Sequence, residues 1–94
     1  MGTVAKTIDN KLRSEFAPSR LAVEDESSRH HGHAGWREGG ETHFRVEIVS
    51  AAFEGQSRVA RQRLVYAALK DEFAAGLHAL ALTTLTPGED AAKR

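Results

Sequence analysis

Five histidines and no cysteine define the chemistry open to this chain of 94 residues. His30, His31 and His33 crowd into one short stretch, while His43 and His78 stand apart. A neutral imidazole is the commonest metal ligand and the side chain that titrates nearest neutral pH. A His-rich tract therefore reads either as a solvated polar loop or as a metal-binding segment. With no thiol there is no disulfide, no cysteine nucleophile, and no thiolate to offer a metal. No Ser-His-acid set stands in recognisable context. Ordered catalytic spacings such as His-Glu-x-x-His or a Gly-rich phosphate loop are absent as well. Catalysis is the least supported class.

A second constellation is cationic. Arg58, Arg61, Arg63 and Lys70 fall on one helical stretch and read either as a solvated face or as a nucleic-acid contact. The chain carries 13 basic and 13 acidic residues, so no global field draws it to nucleic acid or to an anionic membrane. Duplex binding through this helix would be weak and would fall steeply with salt.

The elements that must position these residues follow from periodicity. Ile8, Leu12 and Phe16 recur every four residues, with Val4 one turn earlier, which predicts a helix over 4–16. Thr3 suits its N-cap, and Pro18 disfavours helix at Ala17. Leu21 and Val23 alternate with polar neighbours as a short strand. Residues 26–41 hold three His and four Gly without apolar periodicity; long loops of this kind are often functional. Trp36 lies within them, either folded back on the sheet or part of a contact surface. From His43, Phe44, Val46 and Ile48 face one way and His43, Arg45 and Glu47 the other, which makes a strand with one wet face. This strand should pair antiparallel with the first, leaving His43 as a structural histidine beside the sheet.

Phe53-Glu54-Gly55 is a turn, and Ser57 caps a long helix over 57–75. Its apolar arc comprises Val59, Val65, Tyr66, Leu69 and Phe73, with Arg61 and Lys70 outside it. Gly76 ends that helix. Residues 77–85 form a third strand, buried on both faces, and His78 stands at its start. Taken alone, a histidine there is structural or simply exposed.

The length gives one domain, since single cores typically run to about 100–150 residues. Its core spans about 4–86, with 87–94 a flexible tail. Forty per cent of the residues are apolar, but fifteen of them are alanine, which leaves one thin core. No long apolar run or signal pattern is present, and a soluble, cytoplasmic protein with no membrane partner is expected. The fold class is α+β in the order α-β-β-α-β, with helices packed on one face of a three-stranded sheet.

Five segments together resemble the BolA family. They are Asp25-Glu26-Ser27, Glu41-Thr42-His43-Phe44-Arg45-Val46, Phe53-Glu54-Gly55, Arg61-Gln62-Arg63-Leu64-Val65-Tyr66 and Leu77-His78-Ala79-Leu80-Ala81, and they cover about 8–87. The set, rather than any one member, is specific. Many BolA proteins have Arg-His-Arg where this chain has Arg61-Gln62-Arg63, so no histidine role carries over there. The resemblance implies a small KH-like domain of the class II type, here without the Gly-x-x-Gly loop that clamps nucleotides.

It also implies a non-enzymatic adaptor for a monothiol glutaredoxin, with a shared 2Fe-2S cluster as cofactor in iron–sulfur trafficking or iron sensing. His78 matches the family's principal cluster ligand. The variable-loop ligand is His30 when counted from Glu26-Ser27, and His33 when counted back from Glu41-Thr42-His43. The glutaredoxin cysteine and glutathione would supply the remaining ligands. A DNA-binding transcriptional regulator acting through Arg58, Arg61, Arg63 and Lys70 is the alternative that the family also implies.

Overall fold

In the computed structural model, which describes residues 3–26 and 43–93, α1 (Thr3–Phe16) is followed by β1 (Arg20–Asp25) and β2 (His43–Val49). A 3-10 turn (Ala51–Phe53) leads to α2 (Arg58–Ala68), α3 (Lys70–Ala75), β3 (Ala79–Leu85) and α4 (Pro87–Lys93). The stripe on α1 is as periodicity dictates: Ala5, Ile8, Leu12 and Phe16 are buried. The helix stops where Ala17 takes a left-handed conformation, φ 43°, and its N–H donates to the Arg13 carbonyl at 3.1 Å. Pro18 cannot continue the ladder.

The sheet order is β1-β2-β3. β1 pairs antiparallel with β2, placing Leu21 opposite Ile48 and Val23 opposite Val46. β3 pairs parallel with β2, aligning Phe44 with Leu80 and Val46 with Leu82. Phe44, Val46 and Ile48 meet Ile8, Leu12, Val65 and Leu69 in a single core, with Leu21, Val23, Leu80 and Leu82 packed at its margin. Each fully buried aliphatic side chain contributes roughly 1.5–3 kcal/mol relative to exposure. This core fixes α1, α2 and α3 on one face of the sheet. Among the described residues no helix is long and apolar enough to cross a membrane.

Four expectations change. The long helix is capped as expected by Ser57, whose Oγ accepts from the Ala60 N–H at 3.1 Å. It breaks at Leu69, however, whose ψ of 16° leaves the helical region. The Leu69 N–H is shared between the carbonyls of Val65 and Tyr66, tightening the turn locally. The bend keeps Leu69 buried and lets Phe73 pack against the core.

The buried stripe of α2 is Arg61, Val65 and Leu69, whereas Val59 is 58% exposed and Tyr66 39%. Tyr66 instead rests against Phe73, ring centroids 5.5 Å apart. The cause is the packing of α2 beside β3, where the Arg61 guanidinium finds acceptors.

β3 is an edge strand rather than one buried on both faces: Ala79, Ala81 and Thr83 are exposed. Pro87–Lys93 are helical, not a free tail. Thr86 and Glu89 form a reciprocal cap, with Glu89 N–H donating to Thr86 Oγ1 at 3.2 Å and Thr86 N–H to Glu89 Oε1 at 2.9 Å. Arg20 to Asp90 (2.7 Å) and Lys93 to Glu47 (2.9 Å) then hold α4 against the other sheet face. Val49, which alternation turns to that face, is fully buried.

Candidate metal-ligand site

Parallel pairing of β2 and β3 brings the starts of these two strands together. His43 opens β2 and aligns with Ala79, the first residue of β3, so His78 stands one residue outside the ladder beside His43. β1 runs the other way and ends at the same edge. There the Glu26 N–H extends the ladder by donating to the His43 carbonyl at 2.8 Å. The chain therefore leaves this end of the sheet after Glu26 and re-enters it at His43.

His78 is fixed from both sides. Gly76 closes α3 with φ 128°, a conformation that favours glycine, and the Leu77 N–H caps the helix on the Glu72 carbonyl at 2.9 Å. Leu77 is buried in the core. With Leu77 anchored and Ala79 in the ladder, the His78 side chain is left exposed at a defined place.

His43 is not on a wet surface: it is only 5% exposed. Its ring centroid lies 5.1 Å from that of His78, the planes inclined at 54°. Sequence reasoning missed this neighbour because it left the pairing of the third strand unassigned. The parallel alignment of His43 with Ala79 sets the contact, and no local pattern in the sequence signals it. Beside the pair, Arg45 Nε donates to Glu26 Oε2 at 2.9 Å, so the local cation has its counter-charge.

His30 and His33, the two candidate loop ligands, lie outside the described residues, as do His31 and Trp36. Among the described residues no group of three or more His, Asp or Glu stands close enough to hold a metal ion alone. The structure thus brings together His78 and the two chain ends from which the histidine-bearing segment departs.

The cationic candidates divide. Arg58, Arg63 and Lys70 are exposed. Arg61 is 6% exposed, against the expectation of a solvated position. Its Nε donates to the Gln56 carbonyl at 2.9 Å, and its two terminal nitrogens to Glu89 and the Thr84 carbonyl. That guanidinium is engaged within the fold.

Comparison with known proteins adds the decisive observation, for the family model described as BolA-like protein matches residues 12–89. The chain belongs to the BolA-like family. It is 51% identical over 88 residues to an uncharacterized protein in the cobS 5' region of Sinorhizobium sp., a match covering 93% of this chain and 95% of that one. It is 47% identical over 93 residues to SufE-like protein 1, chloroplastic/mitochondrial, of Arabidopsis thaliana; there the match covers 95% of this chain but only 25% of the relative. The chain thus spans about a quarter of that protein's length. Among solved structures, the BolA domain of SufE1 from Arabidopsis thaliana superposes with a TM-score of 0.86 at 47% identity, covering 95% of this chain and 98% of that one. The α+β architecture with its three-stranded sheet is that of the BolA domain.

Proposed function

We propose that this BolA-like chain is a non-enzymatic adaptor that binds a monothiol glutaredoxin and shares a 2Fe-2S cluster with it, in iron–sulfur trafficking or iron sensing. The observation that carries the reading is His78: an exposed imidazole, held by a buried Leu77 and a strand residue, at the end of the sheet where the histidine-bearing segment begins and ends. The donor chemistry fits the group. Imidazole replaces thiolate on one iron in Rieske centres, and a chain without cysteine offers imidazole only. The thiolates for the other iron then belong to the glutaredoxin and to glutathione.

His78 would hold the iron from this side, with His30 or His33 as the second ligand. Extended chain spans at most ~3.3–3.6 Å per residue, so His30 is tethered four residues from Glu26 and His33 seven. When bound, the cluster supplies the exchangeable iron and sulfide that are passed on or sensed. The role of this chain's described residues is to present the His78 imidazole from a fixed place at the end of the sheet.

The test is assembly with a monothiol glutaredoxin, glutathione, iron and sulfide, read by visible absorption and circular dichroism of the complex. A spectrum distinct from that of the glutaredoxin alone is expected. Separate His30→Ala and His33→Ala variants should differ, one changing the spectrum and the other leaving it intact. A spectrum indifferent to the presence of this chain would remove the adaptor reading.

A further inference from the structure

Glu72 holds two parts of the chain at once. Its carboxylate takes the Lys11 ammonium of α1, with Nζ 3.0 Å from Oε1 and 2.9 Å from Oε2. Its carbonyl accepts the Leu77 N–H at 2.9 Å, one residue before His78. One residue thus joins α1 to the backbone that carries the exposed imidazole.

The rest of α3 gives that tie its weight. The helix has only six residues, none of them buried, and Leu69 at its start supplies no side-chain cap. Leu69 and Leu77 anchor its two ends in the core, and Phe73 packs at the margin. At both ends the backbone leaves the helical region, with ψ 16° at Leu69 and φ 128° at Gly76. Between α1 and α3 lies a cleft of about 110 Å³, lined by Thr3, Val4, Thr7, Glu72, Ala75 and Leu77. Packing leaves this seam unfilled, and the ion pair crosses it. The Glu72 side chain is 11% exposed, whereas Asp71, 3.7 Å from the same ammonium, is open to water. An ionised carboxylate so enclosed needs its cation. Without Lys11, α3 gains by turning that carboxylate toward water, and Leu77 and His78 move with it.

We propose that Lys11 and Glu72 are positioning residues for His78, setting the place of its imidazole through the Leu77 cap. The placement is a property of the free chain; its effect on a shared cluster rests on the adaptor reading.

The experiment compares Lys11→Met with Arg13→Met, which removes a cation whose partner, Asp9, lies on α1 itself. In NMR spectra of the free chain, Lys11→Met should displace the His78 ring signals and the Leu77 amide signal. Arg13→Met should leave both in place. Lys11→Arg should restore them, because a guanidinium grips the same carboxylate. With monothiol glutaredoxin, glutathione, iron and sulfide, Lys11→Met should quicken loss of the shared cluster by about tenfold, the lower end for partners that orient a ligand.

Unmoved His78 and Leu77 signals in Lys11→Met overturn the positioning role, even if the melting temperature falls. Equal displacement in Arg13→Met overturns it too, since charge alone would then be the cause. Should Lys11→Met fail to fold, Glu72→Gln, which weakens the grip without stranding a charge, takes its place with the same outcomes. A shared cluster of wild-type lability in Lys11→Met sinks the positioning role and leaves the adaptor reading standing. Displaced ring signals in a chain whose wild type shares no cluster would do the reverse.

Discussion

Arg61 and Glu89 meet at the edge of the sheet, Nη1 lying 2.7 Å from Oε1, and this pair joins α2 to α4. The Arg61 side chain is 8% exposed and also donates to the carbonyls of Gln56 and Thr84. Truncation strands those acceptors. Arg61→Ala should cost about 2 kcal/mol of stability, because hydrogen bonds to a charged group are the stronger kind. Arg58→Ala, at an exposed position, should stay within about 0.5 kcal/mol. Urea unfolding of the two variants beside wild type checks both figures.

The same geometry sharpens what any nucleic-acid binding must look like. Only Arg58, Arg63 and Lys70 of the cationic set stand exposed. Duplex binding through this helix should lose about one unit of salt slope for each of the three replaced by Ala. Anisotropy titrations with labelled duplex across a salt series give the slopes. Affinity unchanged in the triple variant would take this helix out of consideration as a DNA contact.

Acid should loosen α4. The Arg61 hydrogen bond, then the Thr86 backbone N–H, hold the Glu89 carboxyl at about 2, down from its ordinary 4.5. Glu47 is lowered as well, through its hydrogen bonds to Lys93 and Arg20. A depressed carboxyl favours the charged, folded form, so its contribution is complete above the unfolded value and is lost as pH falls through the folded one. For Glu89 that window runs from 4.5 down to about 2. Glu89→Gln should lower the melting temperature at pH 6 and flatten its decline across the window. An acid limb identical to wild type would show that other carboxylates govern it.

His78→Ala separates ligation from folding. His78 is exposed while the flanking Leu77 is buried, and such surface truncations usually cost no more than about 0.5 kcal/mol. The melting curve of the free chain should barely move. The shared cluster should become labile or revert to a glutaredoxin-only spectrum, since no other described residue presents an exposed imidazole there. A wild-type cluster spectrum in this variant would make His78 structural.

The core was legible because local pattern and burial agree along α1 and β2: Ile8, Leu12, Phe44, Val46 and Ile48 are all interior. What escaped was set by long-range pairing. The buried Arg61 and exposed Tyr66 depend on acceptors from Thr84 and Glu89, 23 and 28 residues away, to which helical periodicity is blind. The order of α4 depends on Arg20 and Glu47, far back in the chain. His78 was recognisable from its segment, whereas the burial of His43 follows from a register no local pattern encodes.

The contact between Arg61 and Thr84 has a consequence for how copies of this chain meet one another. The Leu85 carbonyl accepts from Ser50 on the β2 side, so alternation turns the Thr84 carbonyl outward, toward the open side of β3. Exposed strand edges invite pairing with another chain, and natural sheets blunt them with charge or cover. A foreign strand approaching β3 would have to displace a guanidinium already bonded to that carbonyl and to Glu89, leaving the carboxylate without its cation and the buried end of Arg61 without its acceptors. Arg61 thereby acts as a stop on growth of the sheet, and Arg20, Glu24 and Asp25 line the opposite edge strand with charge. Solubility at high concentration is thus written into side chains that belong to neither the core nor the candidate ligand set.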